Sequence, residues 1–419
     1  MVIVVSAFVV VTAVLAVRTV SKLNAPGHPN AEQWGLADFR DNVYFPVVAL
    51  LRGDDPYDAA TYVQRYPVRN AFPPYAPLAL GLHAPFALVS FEHAELVYWL
   101  GTAFLTLPLA GLALATCGLR PSVAAVVAVA TLVLLSRPGH WNLLLGQSAM
   151  TLTVATYGAL HSLRPRPRLA GACFAVATSK LTFGIPLGIL MIAMQGGGAV
   201  LVGLVIAAIA SLVVAIPLAS AAGGVGPLAA SMLNTATAFA AKVDVAATGD
   251  GFRVDVIGLV GRLSGREAGA AAELMLAGAV LAIGAVAVAR TRRSGADEAH
   301  LAPSLACMTI VLCLYHNAYD MLLLTLPLVA AVTARRVAPW STHPALHGCL
   351  LGCLIVPFVN YLASQSALDA LAVGRGTAAW TAIMTTNGLA LLFAFAILVA
   401  GTWFGGGTRP VAVRAPHPP

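Results

Sequence analysis

Apolar runs long enough to cross a membrane recur along this chain, and they limit the folds that it can adopt. The first occupies residues 2–17, and others follow at short intervals to about residue 400. Of the 419 residues, 59% are hydrophobic and only 10% are charged, whereas a soluble domain carries about 25% charged residues. The sequence therefore predicts an all-α polytopic membrane protein and excludes an ordinary soluble domain.

The charge of the chain is positive, with 24 Lys and Arg against 17 Asp and Glu. One continuous basic patch would suggest nucleic-acid binding. The basic residues instead form short clusters between apolar runs, which the positive-inside rule assigns to cytoplasmic loops. We therefore expect membrane lipids, and no nucleic acid, among the partners. The clusters are residues 164–168, 290–293 and 335–336, and a tail with Arg409 and Arg414.

These clusters orient the membrane spans. The whole chain, residues 1–419, is expected to form one domain. About twelve spans are expected, with both ends in the cytoplasm and residues 401–419 as a cytoplasmic tail. The first helix is expected to be retained rather than cleaved as a signal peptide. Residues 21–93 form an external loop, in which the proline-containing segment 76–91 is expected to be a juxtamembrane or re-entrant helix.

The six cysteines lie within or at the end of apolar runs, without the spacing of a zinc or thioredoxin motif. No acidic pair falls in a recognisable metal-binding pattern. We therefore predict no cofactor and no metal.

The densest group of acids lies in the first external loop, at residues 34–77. Asp38 and Asp41 are three residues apart, so mutual repulsion in a low dielectric would raise one pKa toward that of a general base. Alternatively, one of them caps the helix expected at residues 43–51. Asp38 is the first candidate for a catalytic carboxylate and Asp41 the second.

Two further motifs in this loop are predicted to be structural. Residues 52–57 (RGDDPY) are typical of a turn, in which Asp54 can bond to the local backbone and Asp55 is also expected to be structural. Residues 72–75 (FPPY) predict a rigid entry to the next helix, with aromatic rings suited to an interface or to the face of a sugar.

The order of these motifs resembles glycosyltransferase family 87, whose members are membrane enzymes of the GT-C fold. The resemblance spans roughly residues 34–325. It rests on Asp38-Phe39, the GDDPY and FPP motifs, WNLLLGQ at 141–147, Lys180 in a following short helix, and YHNAYD at 315–320.

This resemblance implies transfer of mannose or arabinofuranose from a polyprenyl-phosphate donor to a glycolipid or polysaccharide. The site would face outward from the cell membrane, and Asp38 would deprotonate the acceptor hydroxyl. No partner acid is obligatory, because a polyprenyl phosphate is already a good leaving group. Lys180, Arg253 and His316 would bind the phosphate, Gln147 and Trp141 the sugar, and Asp320 would orient His316 or begin the next helix.

Alternative interpretations remain for single residues and for the whole protein. The side chain of Lys180 could extend to the membrane–water interface, and His316 could be a packing residue. A transporter or flippase of lipid-linked sugars would share the many helices and the intramembrane lysine, although such proteins often show internal repeats, and none is evident here.

Overall fold

The computed structural model describes residues 1–23, 34–241, 248, 251–293, 300–333 and 343–404. These residues form helices and connecting loops, with two isolated β-bridges, between residues 23 and 35 and between residues 253 and 317. The predicted all-α architecture is confirmed. The basic clusters at 335–336 and at Arg409 and Arg414 lie outside the described residues.

The N-terminal part of the chain alternates long apolar helices with short helices of the first loop. The α-helices of this part are α1 (Val2–Val20), α2 (Ala37–Phe39), α3 (Phe45–Leu51), α4 (Ala59–Arg65), α5 (Leu78–His83), α6 (Phe91–Thr116), α7 (Val123–Leu135), α8 (Arg137–Leu145) and α9 (Ala149–Ser162). A π-helical turn, Arg40–Tyr44, joins α2 to α3, and a 3₁₀ turn, Ala84–Leu88, follows α5.

The remaining helices complete the bundle. They are α10 (Pro167–Ala177), α11 (Leu181–Ala193), α12 (Gly197–Ala221), α13 (Val225–Ala240), α14 (Val256–Ser264), α15 (Ala270–Arg293), α16 (Leu301–Cys313), α17 (Thr325–Thr333), α18 (Pro344–Val359), α19 (Gln365–Ala370) and α20 (Ala378–Phe404). A 3₁₀ turn, Ala318–Leu324, leads into α17, and another, Tyr361–Ala363, follows α18.

Within the described residues, six helical segments are long and apolar enough to cross a membrane, and a seventh is obtained if α7 and α8, bent by 72°, form one broken span. Five further apolar helices are shorter than a full crossing. A polytopic membrane protein is thus confirmed, whereas the number twelve stays a prediction. The first four residues of the predicted tail continue α20.

The short segments that matter for the site agree with their sequence patterns. The short helix expected to carry Lys180 is α11, and the break between α10 and α11 places Lys180 at its N-terminus. Between residue 76 and the start of α6, the chain forms α5 and a 3₁₀ turn, which are too short for a span. The described part of residues 221–266 contains α13 and α14.

Helices α10 and α12 approach each other through glycine. A Cβ built on Gly203 would lie 2.5 Å from Cδ1 of Phe174 and 2.6 Å from the carbonyl oxygen of Gly171. Small residues allow this backbone approach, a common basis of helix association in lipid. The α10–α12 pair therefore holds the short helix that precedes Lys180 against a full-length span.

The Asp41 carboxylate anchors the first loop. It is fully buried, and Oδ1 accepts from Nε of Arg40 at 3.2 Å and from the backbone N–H of Arg69 at 3.1 Å. Oδ2 accepts from the backbone N–H of Asn70 at 2.9 Å and from its side-chain amide at 3.2 Å. The hydroxyl of Tyr62 donates to the carbonyl oxygen of Asp41 at 2.8 Å. These bonds fold the loop back on its own beginning.

We expect Gly203→Ala to lower the free energy of unfolding by about 1–3 kcal/mol, because the new methyl group would overlap Phe174 and the α10 backbone. The measurement is thermal unfolding in detergent. Gly198→Ala is the matched control on the same helix, because no heavy atom lies within 4 Å of its Cβ position. Equal stability of the two variants would contradict the close packing.

We expect Asp41→Ala to cost about 3–5 kcal/mol of stability, because it leaves Arg40 buried without its partner and two backbone N–H groups without an acceptor. Asp369→Ala is the control, since Asp369 is an exposed carboxylate. If both variants melt at the same temperature, the loop is not held by Asp41.

Candidate active site

The first loop packs directly on the C-terminal end of α8. The backbone N–H of Leu36 donates to the carbonyl oxygen of Leu144 at 2.7 Å. Gly146 ends α8 with φ +70°, and a Cβ there would lie 2.6 Å from Cβ of Phe39. Only glycine fits this approach without strain. The contact places Gln147 beside the residue that precedes Phe39.

That residue is Asp38, whose carboxylate is held by two neutral amides. Oδ2 accepts from Nε2 of Gln147 at 2.5 Å, and Oδ1 accepts from Nδ2 of Asn42 at 3.1 Å. Burial, followed by the charge of Asp41, raises the pKa of Asp38 to about 7, although both amides and the ammonium of Lys180 oppose this rise. A carboxylate with such a pKa can accept a proton near neutral pH.

Lys180 forms a buried ion pair with Asp320, a residue 140 positions later. Its Nζ lies 3.1 Å from Oδ1 and 3.0 Å from Oδ2. Nζ also lies 5.2 Å from the ring centroid of Phe183 and 5.5 Å from that of Tyr319. An ammonium has three N–H donors, so two bonds to Asp320 leave one for a ligand.

His316 lies on the other side of Asp320. Its Nδ1 is 3.0 Å from Oδ2 of Asp320, and its Nε2 is 3.3 Å from the carbonyl oxygen of Thr182. Both neighbours are hydrogen-bond acceptors, and a neutral imidazole can donate from only one nitrogen. His316 is therefore held between Asp320 and the first turn of α11.

Arg253 is joined to this cluster through the backbone. The N–H of Val254 donates to the carbonyl oxygen of His316 at 2.9 Å, and Nε of Arg253 bonds to Oδ2 of Asp255 at 2.7 Å. Oδ1 of Asp255 caps the first turn of α14. The Arg253 guanidinium lies 5.5 Å from the ring centroid of Tyr315. Arg253 thus supports the segment that carries His316.

Aromatic side chains surround these polar groups. Trp141 lies edge-on to Phe252, with 4.5 Å between ring centroids, and 6.1 Å from the ring of Tyr319. Asn317 donates from Nδ2 to the hydroxyls of Tyr315 at 3.0 Å and Tyr319 at 3.3 Å. The tyrosine rings are therefore fixed by the YHNAYD segment itself.

Tyr75 joins the first loop to the Lys180 segment. The N–H of the following residue, Ala76, donates to the carbonyl oxygen of Ser179 at 3.1 Å. Burial, followed by the charges of Asp38 and Asp320, raises the pKa of Tyr75. The phenol of Tyr75 therefore experiences the charges of both carboxylates.

The structure brings Asp38, Gln147, Lys180, His316 and Asp320 into one site. Arg253 contacts this site through the backbone pairing with residue 316, and Trp141 contacts it through the ring of Tyr319. The carboxylate of Asp41 does not belong to the site, because its hydrogen bonds are made within the first loop. Asn42 was not predicted from the sequence, although its spacing of four residues from Asp38 on a helical turn is a visible signal. No group of three or more His, Cys, Asp or Glu suited to a metal ion occurs among the residues that the structure describes.

Comparison with known proteins bears on the same region. No curated protein and no solved structure matches the chain significantly. Residues 72–316, more than half of the chain, match the model of glycosyltransferase family 87. This range contains Gln147, Lys180 and His316 but begins after Asp38 and ends before Asp320. Because a membrane-embedded helical bundle carries this match, the chain belongs to glycosyltransferase family 87 and is a membrane glycosyltransferase.

Proposed function

We propose that the protein transfers a sugar, mannose or arabinofuranose, from a polyprenyl-phosphate donor to a glycolipid or polysaccharide acceptor at the external face of the cell membrane. The observation that carries this proposal is the setting of Asp38. Asp41, Asp255 and Asp320 each contact a cationic side chain, whereas Asp38 accepts hydrogen bonds from two neutral amides. Asp38 therefore has the properties of a general base.

The proposed reaction is a single displacement. Asp38 takes the proton of an acceptor hydroxyl while the hydroxyl oxygen bonds to the anomeric carbon. The bond from that carbon to the phosphate oxygen breaks, and its electron pair leaves on the polyprenyl phosphate. Attack from the side opposite the leaving group inverts the anomeric configuration. The proton remains on Asp38 until it passes to water or to the released phosphate.

Lys180 is the proposed ligand of the donor phosphate, through the N–H that Asp320 does not use. Asp320 holds the Lys180 ammonium in place. The ammonium favours a phosphate, and it favours most the charge that develops as the leaving group departs. The ring of His316 lies between Asp320 and the carbonyl oxygen of Thr182, so we assign it the role of positioning Asp320.

The sugar itself would lie between Asp38 and the aromatic wall. Nε2 of Gln147 is used by Asp38, so its Oε1 is the atom that can accept from a sugar hydroxyl. Trp141, half-buried, offers an apolar surface to a pyranose or furanose ring. Arg253 would contribute positive potential from behind His316.

We expect Asp38→Asn to lower turnover by about 10²–10⁴-fold, the usual contribution of a general base. The measurement is product formation by purified protein given a polyprenyl-phosphoryl sugar and a glycolipid acceptor. Donor affinity should be little changed. Lys180→Gln is the paired variant, and it should weaken donor binding while Asp38 remains in place.

Equal turnover by wild type and Asp38→Asn would refute Asp38 as the base. Movement of the donor across a vesicle membrane without any new glycosidic bond would instead favour a transporter or flippase.

We expect kcat/KM to fall tenfold per pH unit below about pH 7, because only the ionised form of Asp38 can accept a proton. In Gln147→Ala this acid limb should move to higher pH by about one unit, because a hydrogen bond that favours the carboxylate form is lost. The measurement is the pH profile of both proteins at limiting donor. If the acid limb of the kcat/KM profile lies at the same pH in Gln147→Ala and in the wild type, the pH dependence does not arise from Asp38.

A further inference from the structure

A polar cavity lies beside Arg40, on the loop that carries Asp38. Its volume is about 400 Å³, and it is lined by Arg40 and residues 63–68, which include the end of α4. Asp38 and Arg40 are two positions apart on one helical segment, so their side chains leave it in nearly opposite directions. The cavity is therefore separate from the site between Asp38 and Lys180.

Arg40 is the most buried charged residue of this cavity. Its exposed fraction is only 4%. Nε bonds to Oδ1 of Asp41 at 3.2 Å, and its guanidinium makes no other hydrogen bond within the described part of the chain. Because Arg40 lines the cavity, its remaining accessible surface opens into it. A guanidinium in this position can present parallel N–H groups to one oxyanion.

The remaining lining adds a second cation. Arg65 is 59% exposed and bonds through Nη1 to Oδ1 of Asp54 at 2.5 Å. The lining residues include two arginines and Gln64 but no carboxylate. Behind them, the charge of Asp41 is shared with the backbone N–H groups of Arg69 and Asn70. The surface of the cavity is thus suited to an anion.

The position of the cavity indicates where that anion comes from. Arg40 interacts electrostatically with Glu95, which lies in the second turn of α6, and the candidate span of α6 begins at Phe91. The hydroxyl of Tyr44 donates to the carbonyl oxygen of Val89 at 3.0 Å, so the loop rests on the entry to this span. The end of a span lies at the level of the lipid headgroups.

We infer that the cavity at Arg40 binds a phosphate-type oxyanion, supplied by the headgroup of an anionic phospholipid beside α6. Arg40 and Arg65 contact the phosphate oxygens, and Gln64 donates a further hydrogen bond. None of the groups that bind this oxyanion takes part in the proposed transfer reaction, so the inference can be tested without a sugar donor.

The test titrates dioleoylphosphatidylglycerol into the full-length protein in detergent and follows the midpoint of thermal unfolding. Dioleoylphosphatidylcholine is the neutral lipid control. We expect phosphatidylglycerol to stabilise the wild type more than phosphatidylcholine does. In Gln64→Glu, the half-saturating phosphatidylglycerol concentration should rise by about fivefold, because the new carboxylate faces the bound phosphate across a few ångströms.

Two further variants separate this cavity from other anion-binding surfaces. Ser366→Glu adds the same charge at an exposed position on α19 and should leave the titration unchanged. Arg40→Gln should weaken binding more than Gln64→Glu does. Because Arg40→Gln also breaks the ion pair with Asp41 and could impair folding, the titration of Gln64→Glu is the result that decides whether the cavity binds the oxyanion.

Inorganic phosphate provides the second arm. Stabilisation by phosphatidylglycerol alone identifies the lipid headgroup as the source, and stabilisation by both ligands that Gln64→Glu weakens identifies a general oxyanion site. The inference is overturned if neither ligand stabilises the wild type more than phosphatidylcholine does. It is also overturned if Gln64→Glu and Ser366→Glu titrate like the wild type.

Discussion

Ion pairing of buried carboxylates is the constraint on which the site depends. An ionised carboxylate removed from water is costly unless a cation and hydrogen-bond donors replace the water. Asp320 meets Lys180 and His316, Asp255 meets Arg253, and Asp41 meets Arg40 together with three N–H donors from Arg69 and Asn70. Each of these contacts fixes one segment of backbone.

Asp38 differs because its environment stabilises its charge only in part. The amide donors lower the pKa of Asp38, but burial and the charge of Asp41 raise it by more. The pKa is therefore about 7. The same loop thus contains one carboxylate that holds its structure and, three residues away, the carboxylate that we propose for the chemistry.

The sequence predicted the local parts of this arrangement well. The turn at residues 52–57 is present, with Gly53 at φ +80°. The backbone bond expected of Asp54 was wrong, because its carboxylate accepts from the side chains of Arg65 and Tyr66, and Asp55 accepts from the N–H of Tyr57 instead. The short helix expected at Lys180 is present as α11. These features depend on neighbours within a few positions, where sequence patterns are informative.

The long-range pairings were not predictable. The sequence alone does not show that Lys180 meets Asp320, or that the backbone at Arg69 and Asn70 meets Asp41, because both contacts depend on how distant segments pack. Helices α13 and α14 are difficult to predict for a different reason, since small and polar residues lower the hydropathy of this part of the chain. Asp255 was nevertheless a visible N-cap candidate for α14.

The order Asp38, Arg40, Asp41 also couples the two faces of the loop. The charge of Asp41 raises the pKa of Asp38, and Arg40 offsets part of the Asp41 charge. An oxyanion bound to Arg40 would offset the positive charge of the arginine. Asp38 would then experience more of the negative charge of Asp41, and the pKa of Asp38 would rise. By linkage, ionisation of Asp38 must weaken oxyanion binding to the same extent. With an oxyanion at the proposed site, the loop would thus transmit charge between its two faces without any change of conformation.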